Sequence, residues 1–117
     1  VAGAGIANWE SYYGQNRIDQ WMLPYFGASV YDDPWIYNRS SPIRFIKNVK
    51  TPTLVVSGER DSEVPAAQAY EFWHALKTLG VPTQLVIYPD EGHQLAKEEH
   101  KLDFIKRLAE WFGRYLR

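Results

Sequence analysis

The stretch PTLVVSGERDSEVP, residues 52–65, sets the architecture of this chain. Its run Thr53–Val56 is rich in apolar and β-branched residues and lies between Pro52 and Gly58, as is typical of a fully buried strand in a parallel sheet. In such sheets the functional loops follow the carboxyl ends of the strands. Asp61 occupies such a loop, so the sequence predicts a carboxylate at the functional edge of the sheet.

A second stretch repeats this pattern with a histidine in the place of the acid. The apolar strand Gln84–Tyr88 leads into the turn Pro89–Gly92, and His93 follows. Asp61 and His93 are 32 residues apart, the length of one strand–helix–strand unit, which brings consecutive parallel strand ends side by side. A histidine base oriented by a buried carboxylate forms two limbs of a hydrolase triad. We therefore predict that Asp61 and His93 are catalytic.

Each of these two residues also has a plainer structural interpretation. An acid that follows a strand commonly turns the chain or caps the next helix, and Pro65 indicates that a helix begins soon after Asp61. His93, beside a glycine in a turn, could equally be a surface residue or a partner of the following helix start. The spacing of the pair favours the triad over these alternatives, because it matches the separation of neighbouring strand ends.

The whole chain is expected to form one α/β domain of about three parallel strands flanked by helices. The strands are expected near residues 1–7, 53–57 and 83–88. Amphipathic helices are expected from Pro65 to Gly80, as the crossover, and from Glu98 to Leu116. The aromatic-rich segment from residue 8 to residue 38 fits short helices better than strands.

Net charge, apolar runs and cysteine content limit which partners and which cellular compartment are expected. The 117 residues carry a net charge of −1 with acids and bases interspersed, so neither nucleic acid nor a membrane surface is expected as a partner. No apolar run of about 18 residues could span a bilayer. Cysteine is absent, which excludes disulfides and fits a reducing compartment, so we expect a cytoplasmic location.

No cofactor is expected, and a metal site is set aside. Asp90, Glu91 and His93 lack the helical His-Glu-x-x-His spacing of a zinc site, and adjacent turn acids are usually solvated. His74 and His100 are most simply exposed helix residues.

A nucleophilic serine does not emerge from the sequence. The Gly-x-Ser-x-Gly pattern, whose glycines allow a strained strand-to-helix turn to expose the serine, is not present. The segment Gly27–Tyr31 supplies the first glycine and Ser29 but lacks the second glycine and a preceding strand. Ser57 and Ser62 flank the Asp61 turn without a helix amino terminus behind them, so we interpret them as turn residues.

Several motifs, in order and spacing, carry a resemblance to a known family. They are Ser41–Ile43, Val49–Leu54, Gly58–Pro65, Leu76–Pro82, Tyr88–His93 and a closing helix with Trp111 and Phe112. Together they resemble the catalytic domain of the prolyl oligopeptidase family of serine peptidases, particularly its acylaminoacyl-peptidase and dipeptidyl-peptidase branches. The resemblance covers nearly the whole chain and implies the C-terminal half of an α/β-hydrolase domain.

The resemblance also implies roles for individual residues. Asp61 would be the triad acid and His93 the general base, while Trp9, Tyr12 and Val64 would line the pocket for the residue before the scissile bond. In α/β-hydrolases the serine precedes the acid and the base in chain order. Residues 1–117 are therefore expected to form a partial domain that lacks the nucleophile half.

Two functions remain open from the sequence. In the first, the chain is a piece of a serine peptidase or acyl hydrolase, inactive alone, that acts on peptide or acyl-ester substrates once its missing half is present. In the second, it is a non-catalytic fold fragment that self-associates or binds a complementary chain carrying the serine, joined near residues 1–40. The small, apolar start Val1–Ala7 resembles mid-domain sequence, so a truncation, a processed product or one of two chains is expected.

Overall fold

Three parallel strands form the centre of the part of the chain that the structure describes. The computed structural model describes residues 1–116. The strands are β1 (Ala2–Gly3), β2 (Thr53–Gly58) and β3 (Thr83–Tyr88), and they lie side by side in the order β1-β2-β3. β2 pairs with β3 along its whole length, from Thr53 opposite Thr83 to Gly58 opposite Tyr88. The predicted α/β class with parallel strands is confirmed.

The first strand is shorter than the expected span of residues 1–7. Only Ala2 and Gly3 pair with β2, opposite Val55 and Val56. Ala4 has a φ of 47°, a left-handed conformation that a non-glycine residue seldom adopts and that ends an extended strand. Its N–H still donates to the carbonyl of Val56 at 3.0 Å, so the chain turns away from the sheet directly after this residue.

Within residues 1–116, five α-helices and two 3-10 helices accompany the sheet. The α-helices are α1 (Trp9–Gln15), α2 (Met22–Phe26), α3 (Pro34–Ser40), α4 (Ala66–Thr78) and α5 (Glu98–Tyr115). The 3-10 helices span Asp19–Trp21 and Pro42–Asn48. The predicted crossover helix after Pro65 and the predicted C-terminal helix correspond to α4 and α5. No helix within residues 1–116 is both long and apolar enough to cross a membrane.

The two long helices cover opposite faces of the sheet. Because successive side chains of a strand point to opposite faces, Val55 packs with Ala69 and Leu76 of α4. Leu54 and Val56 instead pack in one cluster with Trp111 of α5. β2 is buried along its whole length, as expected for a central parallel strand covered on both faces.

Gln68 of α4 fixes the position of α1. Its side chain is fully buried, and its Oε1 accepts the backbone N–H groups of Ala7 at 3.1 Å and Asn8 at 2.9 Å. Its Nε2 donates to Ser11 Oγ at 3.0 Å and to Gln15 Oε1 at 2.9 Å. One buried amide thus satisfies polar groups at the start and at the end of α1, which carries Trp9 and Tyr12.

Candidate active site

Asp61 lies in the loop after β2, and backbone N–H groups two and three residues further along the chain hold its side chain in place. Its side chain has no solvent exposure. Its Oδ1 accepts the N–H groups of Glu63 at 2.9 Å and Val64 at 2.8 Å, in the way an Asp organises a turn. Asp61 therefore does organise the turn, as its plainer structural interpretation predicts. Its second oxygen, Oδ2, remains available for another partner.

That partner is His93, which follows β3. Its Nδ1 lies 2.9 Å from Asp61 Oδ2. An ionised carboxylate only accepts hydrogen bonds, so this contact places the ring proton on Nδ1 and leaves the lone pair on Nε2. The His93 side chain is 38% exposed, and its Nε2 lies 3.6 Å from the carboxylate of Glu63. The two predicted catalytic residues are thus hydrogen-bonded, and the imidazole as a whole remains partly exposed.

These contacts change the protonation of the imidazole. The hydrogen bond to Asp61 raises the pKa of His93 above its ordinary value of 6.5, and the charges of Asp61 and Glu63 act in the same direction against partial burial. A raised pKa makes His93 a stronger base but leaves a smaller neutral fraction at a given pH. The fraction of His93 that is neutral, with a lone pair on Nε2, therefore falls as the pH drops through this raised pKa.

The pKa of His93 provides a first test, by NMR titration of the imidazole in the isolated chain. Asp61→Asn is expected to lower this pKa towards 6.5, because it removes the carboxylate that stabilises the imidazolium. Because folding raises the pKa of His93, its protonation stabilises the folded chain. This contribution to the free energy of unfolding is fully present below pH 6.5 and is lost as the pH rises through the pKa of the folded chain. A wild-type pKa at or below 6.5 would contradict this geometry.

The loops that carry Asp61 and His93 are in direct contact at Gly58. A Cβ atom added to Gly58 would lie 2.2 Å from the carbonyl oxygen of Gly92 and 2.5 Å from that of Glu91. Beside it, the N–H groups of Glu59 and Arg60 donate to the carbonyls of Tyr88 at 2.9 Å and Glu91 at 2.8 Å. Glycine is required at residue 58 because the backbones approach so closely.

An open groove of about 550 Å³ adjoins His93. Its walls are the ends of β1 and β2, the loop Gly92–Leu95 and the face of α5 that carries Phe104 and Ile105. Apart from His93 and Lys101, its lining is mostly apolar or backbone. A groove beside an exposed histidine base can hold a reacting group next to Nε2.

The three predicted pocket residues lie together, next to the Asp61 loop. Tyr12 and Val64 are buried in one apolar cluster, and Trp9 packs against it with its ring edge-on to that of Tyr12 at 5.5 Å. The Tyr12 hydroxyl donates to the carbonyl of Glu63 at 2.8 Å. None of the three lines the groove beside His93. Their role in substrate binding stays a prediction.

Two residues near His93 are more buried than the sequence predicts. Glu91 was expected to be a solvated turn acid and His100 an exposed helix residue, and both expectations are wrong. Glu91 is 1% exposed, and the side chain of His100 is 15% exposed. The Glu91 carboxylate accepts the N–H groups of Ala96 and Lys97 and contacts His100 Nδ1. These bonds lower the pKa of Glu91 to about 2, although burial acts in the opposite direction.

Glu63 was also not identified from the sequence as a neighbour of the site. No spacing rule places it beside His93, because its position follows from the turn that Asp61 organises. By contrast, Asp90 is a half-exposed acid paired with Arg60 at 2.6 Å, as a turn acid should be. Within residues 1–116, no three His, Cys, Asp or Glu side chains cluster so as to hold a metal ion.

Comparison with known proteins shows the family. The model of the prolyl oligopeptidase family of peptidases matches residues 1–117, the whole chain. The chain belongs to the prolyl oligopeptidase family. This prolyl oligopeptidase segment is 34% identical to the uncharacterized peptidase YuxL of Bacillus subtilis, over 99% of this chain and 18% of that protein. It is 41% identical to the human acylamino-acid-releasing enzyme, over 99% of this chain and 17% of that protein.

A solved structure confirms the fold of this family segment. The chain superimposes on the acylaminoacyl peptidase of Pyrococcus horikoshii with a TM-score of 0.85 and 28% identity, over 97% of this chain and 19% of the other. The family and the α/β-hydrolase fold predicted from the motifs are therefore confirmed. The chain spans less than a fifth of the length of these relatives.

Proposed function

We propose that this chain supplies the acid and the base of a Ser-Asp-His triad in a serine-type peptidase or acyl hydrolase, and that the nucleophilic serine lies outside these 117 residues. The observation that carries the proposal is the 2.9 Å hydrogen bond between buried Asp61 and His93. Asp61 is held by two backbone N–H groups, so the pair has the orienting acid and the oriented base that such a triad requires.

The reaction follows from the positions of the protons. His93 Nε2 takes the proton of the serine hydroxyl as the serine oxygen attacks the substrate carbonyl carbon, and Asp61 stabilises the resulting imidazolium while remaining ionised. The imidazolium then gives this proton to the leaving amine or alcohol. A water molecule repeats both steps on the acyl-serine, which releases the acid and restores the serine.

The serines of this chain do not fit the role of nucleophile. No serine hydroxyl among residues 1–116 is hydrogen-bonded to His93. Ser57 is buried, and its hydroxyl donates to the carbonyl of Gly58 at 3.3 Å. Without a nucleophile the isolated chain is expected to be inactive, since losing the serine alone costs about as much as losing the triad, on the order of 10⁶ in rate.

Peptides and acyl esters are the proposed substrates, and an N-acylated peptide is the first to test. One relative is named an acylamino-acid-releasing enzyme and a structural neighbour is named an acylaminoacyl peptidase. The test is turnover of an N-acetylated peptide and a p-nitrophenyl ester by a polypeptide that holds this chain together with its serine. We expect His93→Ala to abolish turnover and the exposed control His74→Ala to leave it unchanged. Full activity of the His93 variant would contradict the proposal.

A second candidate function, association through exposed apolar surface, is favoured by α5 and the aromatic segment. Leu102 and Ile105 of α5 are 67% and 61% exposed, and Tyr25 and Tyr31 are 73% and 79% exposed. Large exposed apolar patches mark interaction surfaces. The proposed partner is a second copy of this chain or a complementary chain that carries the serine.

The cellular location is a further part of the proposed function. The absence of cysteine favours the cytoplasm, where thiols are kept reduced and disulfides are rare.

Sedimentation of the purified chain tests this association. We expect a dimer or larger assembly at micromolar concentration, because removing exposed apolar side chains from water lowers the free energy of the assembly. Leu102→Glu combined with Ile105→Glu should shift the assembly towards monomer if α5 forms the contact. A wild-type chain that sediments as a monomer across this range would contradict the self-association proposal and leave only the complementary chain.

A further inference from the structure

The loop that carries His93 has no regular structure, yet it must hold an imidazole in one orientation. It runs from the end of β3 at Tyr88 to the start of α5 at Glu98. Glu91 lies two residues before His93 and is the most buried charged residue of the loop, with 1% exposure. A carboxylate removed from water is strongly destabilising unless hydrogen bonds replace its hydration, so the contacts of Glu91 indicate what it does.

The side chain of Glu91 closes the loop on the far side of His93. Its Oε2 accepts the N–H of Ala96 at 2.7 Å, and its Oε1 accepts the N–H of Lys97 at 2.9 Å. The ring of His100, in the first turn of α5, contacts the same Oε1 through Nδ1 at 2.7 Å. The carboxylate therefore ties residue 91 to residues 96 and 97, with His93 between the two ends.

The backbone of Glu91 is attached to the loop of the catalytic acid. Its carbonyl accepts the N–H of Arg60 at 2.8 Å, and it lies against Gly58. Asp61 follows Arg60 directly. Glu91 is thus linked through its main chain to the acid's loop and through its side chain to the exit of the base's loop, so it fixes the distance between the two loops.

We propose that Glu91, braced by His100, is a positioning residue that holds His93 in hydrogen-bonding reach of Asp61. This role rests on the proposed function of the Asp61 and His93 pair. Glu91 acts through the loop and has no contact with His93 itself among the side-chain hydrogen bonds of residues 1–116. Its low pKa keeps the carboxylate ionised at neutral pH, when all three of its partners need an acceptor.

Glu91→Gln tests this role because the amide has nearly the same shape but only one acceptor oxygen. Its NH₂ group would face a backbone N–H, so the loop loses at least one of its closing bonds. In the folded chain we expect the pKa of His93, measured by NMR titration, to fall towards 6.5 as its bond to Asp61 loosens. In a polypeptide that also holds the serine, we expect kcat to fall about 100-fold with KM nearly unchanged, as for a misplaced catalytic group.

Asp103→Asn is the matched control. Asp103 also joins β3 to α5, since its Oδ2 accepts the Tyr88 hydroxyl at 2.8 Å and Arg107 Nε at 2.7 Å, but it makes no bond to residues 91–97. We expect this variant to lower stability and leave the pKa of His93 as in the wild type. If Glu91→Gln does not fold, His100→Ala serves in its place, because it removes only one of the three hydrogen bonds of the Glu91 carboxylate. We expect it to lower the pKa of His93 too, but by less.

The pKa of His93 in these variants distinguishes a failure of the Glu91 role from a failure of the Asp61 and His93 pair. A folded Glu91→Gln chain with the wild-type pKa of His93 overturns the positioning role, while Asp61→Asn still lowers that pKa. If Asp61→Asn also leaves the pKa unchanged, the Asp61 and His93 pair itself is refuted. Equal effects of Glu91→Gln and Asp103→Asn on His93 would show general destabilisation and would likewise overturn the positioning role.

Discussion

Asp61→Asn is expected to lower kcat by about 10⁴-fold in a polypeptide that holds both this chain and its serine, the size of effect seen when a triad acid is replaced by its amide. The asparagine oxygen can still accept the N–H groups of Glu63 and Val64, which hold Oδ1 in the native turn. Its NH₂ group then points at His93 Nδ1. That nitrogen must become an acceptor, so the ring proton moves to Nε2.

The consequence is a histidine in the wrong tautomer. With a proton on Nε2, His93 presents no lone pair to the serine hydroxyl and cannot act as the base. Stopped-flow or steady-state hydrolysis of an activated ester measures the loss. Asp90→Asn, which alters a half-exposed acid paired with Arg60, is the control and should retain wild-type kcat. A loss of less than about tenfold for Asp61→Asn would be too small for a triad acid.

Gly58→Ala is expected to lower the free energy of unfolding by roughly 3 kcal/mol, at the upper end for overpacking of a buried site. The added methyl group would lie 2.2 Å and 2.5 Å from two backbone carbonyl oxygens. Neither oxygen belongs to a flexible side chain that could move aside. The ends of β2 and β3 must therefore separate, which also draws His93 away from Asp61.

Urea denaturation and the NMR titration of His93 measure both effects of Gly58→Ala. Gly113→Ala is the matched control, because Gly113 lies in α5 with no neighbouring atom within 4 Å of an added Cβ. Alanine there should leave stability unchanged or raise it by about 0.5–1 kcal/mol, since glycine is a poor helix residue. Wild-type stability and an unchanged His93 pKa in Gly58→Ala would show that the two loops do not depend on this close approach.

The fold could be predicted where the sequence has a clear periodicity. The buried run of β2 and the amphipathic patterns of α4 and α5 each carry such a signal, and the parallel order follows from the crossover helix. β1 was predicted too long because its end depends on the left-handed conformation of Ala4. Alanine gives no sequence signal for that conformation, which glycine or asparagine usually marks.

The proximity of Asp61 and His93 could also be predicted, but the residues packed around this pair could not. Asp61 and His93 follow strands, so the geometry of parallel sheets brings them together without further knowledge. Glu91 and His100 belong to an irregular loop and to the helix start after it, and the burial of a loop acid depends on how that loop folds back. Glu63 approaches His93 only because Asp61 organises the turn. Such contacts have no period and no fixed spacing.

The most direct test of the central claim is to label a polypeptide that holds this chain and its serine with a fluorophosphonate, and to map the modified residue by mass spectrometry. We predict one labelled serine outside residues 1–117, with labelling lost in His93→Ala and retained in His74→Ala. The isolated chain should remain unlabelled. A label on a serine within the chain, such as Ser57, or equal labelling of the His93→Ala variant, would contradict the claim that Asp61 and His93 serve a nucleophile supplied from outside.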